Sequence, residues 1–335
     1  MKLVLSQEQR HLRESVRAFL RAASPLPKAR QGYDPQVYAR LNGELGLSGL
    51  IIPEEYGGAG AGLAELAVAL EETGAALLPG PFLTTAFAVF ALTATPGEEL
   101  LSAIAEGRTT ATLARHGLEA PDDATVSGTL PQVLSGMDAD VLLARAGDVL
   151  VAVELSAPGV TRTALETLDL TRGQAKVTLR GAPCQVLGPW PEIDDLVAVA
   201  LAAEQLGVMR AALDAIVAYA KVRVAFGRYI GSYQGVKHKL ADMHCKLEQA
   251  ESIVRYAAWA ADESPGELPE AAALAQAYVG RACFEVARDH LLLFGGIGFT
   301  WEHDAHLFYK RAKADEVLLG PPRIHRARLA QLLEL

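Results

Sequence analysis

Several residues in this chain are of types and spacings that do chemistry. His303 and His306, in Trp-Glu-His-Asp-Ala-His, stand one helical turn apart, a spacing at which two imidazoles can share a metal ion. No cysteine and no third ligand lies near them in sequence, so a solvated helix start is the simpler reading. Glu204 is the one carboxylate in the apolar run LVAVALAAEQLG. Burying a lone carboxylate is costly, so Glu204 either has a partner inside the fold or acts as a base with a raised pKa. Arg223 opens Arg-x-x-Phe-Gly, with Gln234 and Ala-Asp-Met at 241–243 following. A guanidinium suits a diphosphate because its fork donates two hydrogen bonds at fixed geometry; a solvated arginine at a helix end is the alternative. Gly295-Gly296-Ile297-Gly298-Phe299 lets backbone approach a ligand closely, and also reads as a helix C-cap and turn. Arg311, Lys313, Arg323, Arg326 and Arg328 make the C-terminus basic, which suits phosphate groups, a solvated helix face or a subunit contact.

The elements that must position these residues follow from pattern. Ser6 and Gln9 form a capping box, and Leu12, Val16, Phe19 and Leu20 give the helix behind it an apolar stripe. Asp34-Pro35 starts a second helix, with Val37, Leu41 and Leu45 on one face and Gly46 at its end. The glycine-rich string LGLSGLIIPEEYGGAGAG at 45–62 could cradle phosphate. No lysine follows it and no βα unit precedes it, so a tight connection between helices is expected instead. Helices are predicted at 63–76, 81–93 and 98–106. Val141–Ala146 and Val149–Glu154, separated by Gly147-Asp148, read as a hairpin, with further strands at 175–179 and 185–187. Helices return at 195–222, 270–294, 304–318 and 322–333. Val236, Leu240, Met243, Leu247, Ala250, Val254 and Ala257 form a bundle seam. That seam and the apolar helix from 196 exceed the needs of one bundle, which predicts a dimer interface there. The fold class is mainly α with a small β domain: an N-terminal helical domain at 1–109, a middle β domain at 110–190 and a C-terminal four-helix-type bundle at 191–335.

Composition narrows the function. At 335 residues the chain can bury a large core, and a formal net charge of −9 argues against nucleic acid and anionic membranes as partners. Cys184, Cys245 and Cys283 are odd in number and far apart, which disfavours a disulfide framework or a zinc site and fits a reducing, cytoplasmic setting. No window reaches membrane-span length.

The strings at 223–243 and 295–302, with Ile-Pro-Glu-Glu-Tyr-Gly-Gly at 52–58 and the order of helical, β and helical parts, resemble the acyl-CoA dehydrogenases. The resemblance covers essentially the whole chain and is most specific in its last third. It implies FAD as cofactor and α,β-dehydrogenation of an acyl-CoA: a carboxylate takes the α-proton while the β-hydrogen leaves as hydride. Arg223 matches an arginine that meets the FAD diphosphate of a neighbouring subunit, Phe226 matches a phenylalanine near it, and Gln234 and Gly295-Gly296 match further residues of the ADP side.

Three departures stand out. Leu292 occupies a place where the family usually has glutamine. Ala111–Leu118 does not preserve the Thr-Glu-Pro strand that lies over the flavin. The two positions at which family members carry the base fall on Leu319 and Val197, and neither accepts a proton. The resemblance therefore implies a short bacterial member that lacks the base and completes the FAD site of a hetero-oligomer. Its partner would be a second acyl-CoA dehydrogenase subunit, its substrate a steroid or other bulky acyl-CoA, and its acceptor an electron-transfer flavoprotein. The rivals are a self-sufficient homo-oligomeric enzyme using Glu204, and a scaffold subunit without FAD.

Overall fold

The computed structural model describes residues 3–122 and 124–335, without the side chain of His116. In chain order the elements are α1 (Gln7–Ala23), α2 (Leu26–Ala29), α3 (Pro35–Leu45), α4 (Leu63–Ala75), α5 (Phe82–Thr93) and α6 (Glu98–Ala105). Seven strands follow: β1 (Ala111–Leu118), β2 (Thr125–Leu134), β3 (Val141–Ala146), β4 (Val149–Glu154), β5 (Val160–Ala164), β6 (Gln174–Pro183) and β7 (Gln185–Pro189). The last third holds α7 (Asp194–Val222), the short strands β8 (Val224–Ala225) and β9 (Arg228–Tyr229), α8 (Gln234–Glu263), α9 (Leu268–Phe294), α10 (Ala305–Leu318) and α11 (Pro322–Leu332). The order is helices, a central sheet, then a helical bundle, as the resemblance implies.

The chain forms two compact units. The sheet unit is Gln31–Gly62 with Pro79–Val197. Its strands run in the order β5-β6-β2-β1-β3-β4-β7, antiparallel throughout except for the parallel pair β1–β3. Leu130, Val133, Leu142, Val151, Val153 and Val177 are buried in its core. The hairpin at Gly147-Asp148 forms in the expected register, pairing Ala146 with Val149. Strands β2 and β5 were not expected. The Gly, Asp and Thr of this region read as turn chemistry, and both strands are held by long-range pairing to β6.

The helical unit is Met1–Arg30, Leu63–Leu78 and Ala198–Leu335. Ser6 caps α1 as a full capping box. Asp34, which opens α3 in the sheet unit, accepts from Gln36 N. Helix α7 is long and apolar enough to cross a membrane, contrary to the expectation from sequence, and 83% of that window is buried inside the protein. Its apolar residues meet other helices, which is how a core helix passes the same test. Helices α4 and α7 cross backbone to backbone. A Cβ on Gly207 would stand 1.8 Å from the Glu71 carbonyl oxygen, and one on Gly74 would stand 2.1 Å from that of Glu204. Only glycine fits at either place.

The seam on α8 is used within the chain. Met243, Leu247, Ala250, Val254 and Ala257 are buried, as are residues 198–209 of α7. That removes most of the surplus apolar surface on which the expected dimer interface rested, leaving Val236 and Leu240 half-buried. The large apolar side chains the helical unit leaves open lie elsewhere, among them Val222, Val224, Phe226, Tyr229, Phe299 and Trp301.

Candidate functional site

Helix α7 ends at Val222, and the backbone N–H of Arg223 still donates to Tyr219 O at 2.9 Å. The guanidinium of Arg223 is exposed and has no protein partner among the described residues. A two-residue hairpin follows, with Val224 opposite Tyr229 and Ala225 opposite Arg228. Its loop residues, Phe226 and Gly227, have φ of 51° and 79°. Positive φ at both loop positions gives the turn the twist that suits a hairpin, but phenylalanine pays a steric cost there. The Phe226 ring is 98% exposed. Tyr233 braces the hairpin: its hydroxyl donates to Ala225 O at 2.8 Å, and the Arg228 guanidinium lies 3.8 Å from its ring centre.

Gln234 is the first residue of α8, and its amide is exposed with no partner among the described residues. Ile230 N donates to Arg223 O at 2.8 Å, which ties the segment before α8 to the end of α7. The end of α9 joins the same region through Phe294, whose ring lies 4.5 Å from Tyr219 and 4.2 Å from His303. Gly295 then caps α9 at φ 67°, and a Cβ on Gly295 or Gly296 would meet nothing within 4 Å. Gly298 is different, since a Cβ there would lie 2.7 Å from Leu291 O. So Arg223, Phe226, Gln234, Gly295 and Gly296 collect at one end of the helical unit. A free guanidinium, a free amide and open glycine backbone fit the diphosphate and ribose side of a dinucleotide. Leu292, 55% exposed, adds no polar group there.

Glu204 lies apart from that end. Glu204 sits 19 residues before Arg223, roughly 28 Å along α7 at the helical rise. Its carboxylate is buried, and Arg311 Nη1 stands 3.4 Å from its Oε1. Of the base positions, Val197 is buried and Leu319 is half-buried as the C-cap of α10. Arg311 is 1% exposed, so the expectation of a solvated basic face fails for this member of the C-terminal group. The physical reason is its pairing with Glu204, which sequence spacing does not show.

The solvated start expected around His303 and His306 is also corrected. His306 is buried, with its ring edge-on to Trp301 at 4.9 Å and neither ring nitrogen hydrogen-bonded. Burial, with Lys310 and Arg30 nearby, lowers its pKa. His303 Nδ1 accepts from Ala305 N at 3.0 Å. Among the described residues, no group of three or more His, Cys, Asp or Glu is placed to hold a metal ion.

Sequence reasoning missed a second buried charge cluster. Glu71 on α4 lies between Arg210 of α7 and Arg255 of α8, with Arg255 Nη2 at 2.5 Å. Glu251 joins both arginines at 3.2 and 3.3 Å, and Arg17 grips Glu72 with two bonds of 2.8 and 2.7 Å. Burial pushes the Arg210 and Arg255 pKa values down, and Glu251 offsets part of that. The available signal was Glu71-Glu72 inside the apolar run of α4.

A family model for the acyl-CoA dehydrogenase C-terminal domain matches residues 196–333, and one for the N-terminal domain matches residues 6–100. The chain is 38% identical over 331 residues to acyl-CoA dehydrogenase IpdE2 of Mycolicibacterium smegmatis, covering 97% of this chain and 98% of that one. It is 38% identical over 338 residues to acyl-CoA dehydrogenase FadE34 of Mycobacterium tuberculosis, covering 96% of this chain and 47% of that longer protein. Among solved structures, the ChsE4-ChsE5 complex of Mycobacterium tuberculosis matches with a TM-score of 0.90 at 25% identity, covering 100% of this chain and 99% of the other. A variant of the Tcur3481-Tcur3483 steroid ACAD matches at 0.89 and 29% identity, covering 98% of each.

Proposed function

The chain belongs to the acyl-CoA dehydrogenase family, and from that membership we propose that it serves as the base-lacking subunit of a hetero-oligomer. Members of the family are FAD-dependent oxidoreductases acting on acyl-CoA. In this reading the chain presents its Arg223 end to the ADP side of FAD, and an unlike dehydrogenase chain carries the flavin-side contacts and the base. One observation carries the reading: Leu319 and Val197 stand at the two positions where the resemblance places a base, and neither side chain accepts a proton.

The rival reading, in which Glu204 is the base of a self-sufficient enzyme, is disfavoured by geometry. A base must be free to receive the proton and must reach the substrate carbon. Glu204 is buried and is paired with Arg311. A scaffold without FAD contact would leave the free guanidinium of Arg223 and the open glycines unexplained.

Bound FAD supplies the hydride-accepting centre for the β-hydrogen. This chain's part is to bind and orient. Arg223 would hold the diphosphate with its guanidinium fork, Gly295 and Gly296 would admit it to the backbone, and Gln234 would donate from its amide. The proton acceptor for the α-carbon comes from the partner. Two of the similar structures are named as paired chains, and one of them as a steroid enzyme, which supports a bulky, steroid-type acyl-CoA here. An electron-transfer flavoprotein is the proposed acceptor. Three free cysteines agree with a reducing, cytoplasmic setting.

The test is flavin absorbance and turnover with a ferrocenium-type acceptor, for the chain alone and co-expressed with candidate partners. The expected result is little turnover alone, and about one FAD per unlike pair. Robust turnover by this chain alone would overturn the reading.

A further inference from the structure

The loop between α9 and α10 carries the two open glycines of the Arg223 end, Gly295 and Gly296, and its two halves are held differently. The first half is held by near neighbours in sequence. Thr300 donates to Ile297 O from its backbone N–H at 3.1 Å and from its hydroxyl at 2.9 Å, and the Phe294 ring packs on His303. The second half is held by Arg30, which follows α2 and stands 271 residues before Trp301. Its Nη1 donates to Trp301 O, and its Nε and Nη2 donate to Asp304 Oδ1 at 2.8 and 2.6 Å. One guanidinium thus grips a carbonyl and a carboxylate three residues apart on the loop.

Asp304 is the N-cap residue of α10 but makes no side-chain cap bond, so its carboxylate serves Arg30 and not its own helix. The Trp301 ring is pinned as well, edge-on to His306 and with Lys310 Nζ 4.2 Å from its centre. Arg30 and Asp304 are both half-buried, and an ion pair in such a place contributes little to the stability of a whole domain. Its effect is local. Glycine loses more backbone freedom on ordering than any other residue. A ligand that meets Gly295 and Gly296 therefore binds more tightly when the loop beyond them is already fixed.

We infer that Arg30 is a positioning residue for the cofactor, acting through the loop and not by contact: it sets the backbone around Gly295 and Gly296 before FAD arrives. This role rests on the Arg223 end taking the ADP side of FAD. Arg30 is also the last residue of the first segment of the helical unit, so the clamp closes where the chain leaves that unit.

Two readouts test the clamp, and one needs no cofactor. Trp301 is one of three tryptophans, so in a Trp190→Phe/Trp259→Phe background its fluorescence anisotropy reports loop motion in the free chain. Arg30→Gln should lower that anisotropy while leaving the urea midpoint nearly unchanged. In the co-expressed complex, Arg30→Gln should weaken FAD about tenfold, through faster release. Asp304→Asn should do the same, and the double variant should bind no more weakly than the poorer single one, because both act through one bridge. Arg30→Lys keeps the charge but not the fork, and should fall between. Unchanged Trp301 anisotropy in Arg30→Gln and Asp304→Asn would overturn the inference, as would additive losses in the double variant. Full FAD affinity in Arg30→Gln beside a loss in Arg223→Ala would overturn the clamp alone. Full affinity in both would overturn the clamp and also remove the Arg223 end from the cofactor site.

Discussion

Arg311 of α10 reaches Glu204 of α7 at 3.4 Å in a place where neither side chain sees solvent. Each ion is tolerated in the bundle core because the other is there, and removing one strands its partner. Arg311→Ala should therefore cost about 3–5 kcal/mol in urea unfolding, while Arg311→Met combined with Glu204→Leu should cost much less. If Glu204 is instead the catalytic base, Glu204→Gln in the assembled enzyme would drop turnover by orders of magnitude. The expectation is turnover within a few-fold of wild type, read per folded complex.

Arg223 should carry the cofactor contact that this chain contributes. Arg223→Ala in the mixed complex should weaken FAD by on the order of 2 kcal/mol or more, since it strips a charge-assisted pair from a diphosphate. Leu292→Gln places an amide where the family usually has one and should leave FAD affinity unchanged or tighter. Flavin content and FAD affinity of the reconstituted complex are the measurements. Full occupancy at unchanged affinity in Arg223→Ala would remove the chain from the cofactor site.

Phe226 sets stability against assembly. Its φ of 51° is strained for a residue with a Cβ, and its ring is solvent-exposed in the free chain. Phe226→Gly should stabilise the free chain by about 1 kcal/mol, because glycine adopts this conformation without strain. The same change should weaken association with the partner, since it deletes an exposed aromatic anchor. Thermal unfolding and sedimentation measure the two effects, and unaltered association would show that the ring is not an anchor.

His290 makes the helical unit acid-sensitive. It is buried, its Nδ1 has no partner, and its ring packs edge-on against Phe294 and Phe308. Burial, with His303 nearby, lowers its pKa to about 3. An unfolded histidine titrates near 6.5, so between those values the unfolded chain binds the extra proton. Stability from this group is fully present above pH 6.5 and is lost as the pH falls toward 3, at about 1.4 kcal/mol per pH unit. His290→Leu should flatten the decline in unfolding free energy between pH 6.5 and 5. Equal slopes in the two proteins would show that other groups set it.

Local signals were legible in the sequence and distant pairings were not. Ser6 with Gln9, Asp34 with Pro35, and Gly147-Asp148 each act within a few residues, and each forms the cap or turn its chemistry dictates. The apolar period of α8 marked its buried face, but not whether that face meets the same chain or another. Arg311 looked like surface charge because its partner lies 107 residues away. Glu71 gave a warning, as a carboxylate in an apolar helix, yet nothing nearby names Arg210 or Arg255 as its answer. Among site residues, the string Arg223–Gln234 was marked by its residue types alone; the two-residue hairpin inside it was not read, because Phe226 is an unusual residue for a loop position of positive φ.

The backbone crossing of Gly74 with Gly207 has a consequence for the order in which the chain takes shape. Helix α4 leaves the ribosome more than a hundred residues before the helix it must press against, and every strand of the seven-stranded sheet is made in the interval. The sheet unit is complete in sequence by Val197, so it can settle while α1 and α4 still wait. Glu65, Glu71 and Glu72 give the waiting helix three charged groups among its apolar residues, which keeps it hydrated and resists premature association. Glu72 has Arg17 of α1 to pair with from the start, whereas Glu71 loses its water only when α7 and α8 arrive with Arg210 and Arg255. The glycine crossing is thus a joint that must wait for the last third of the chain, and a truncated product ending in the sheet would carry α4 with only α1 to cover it.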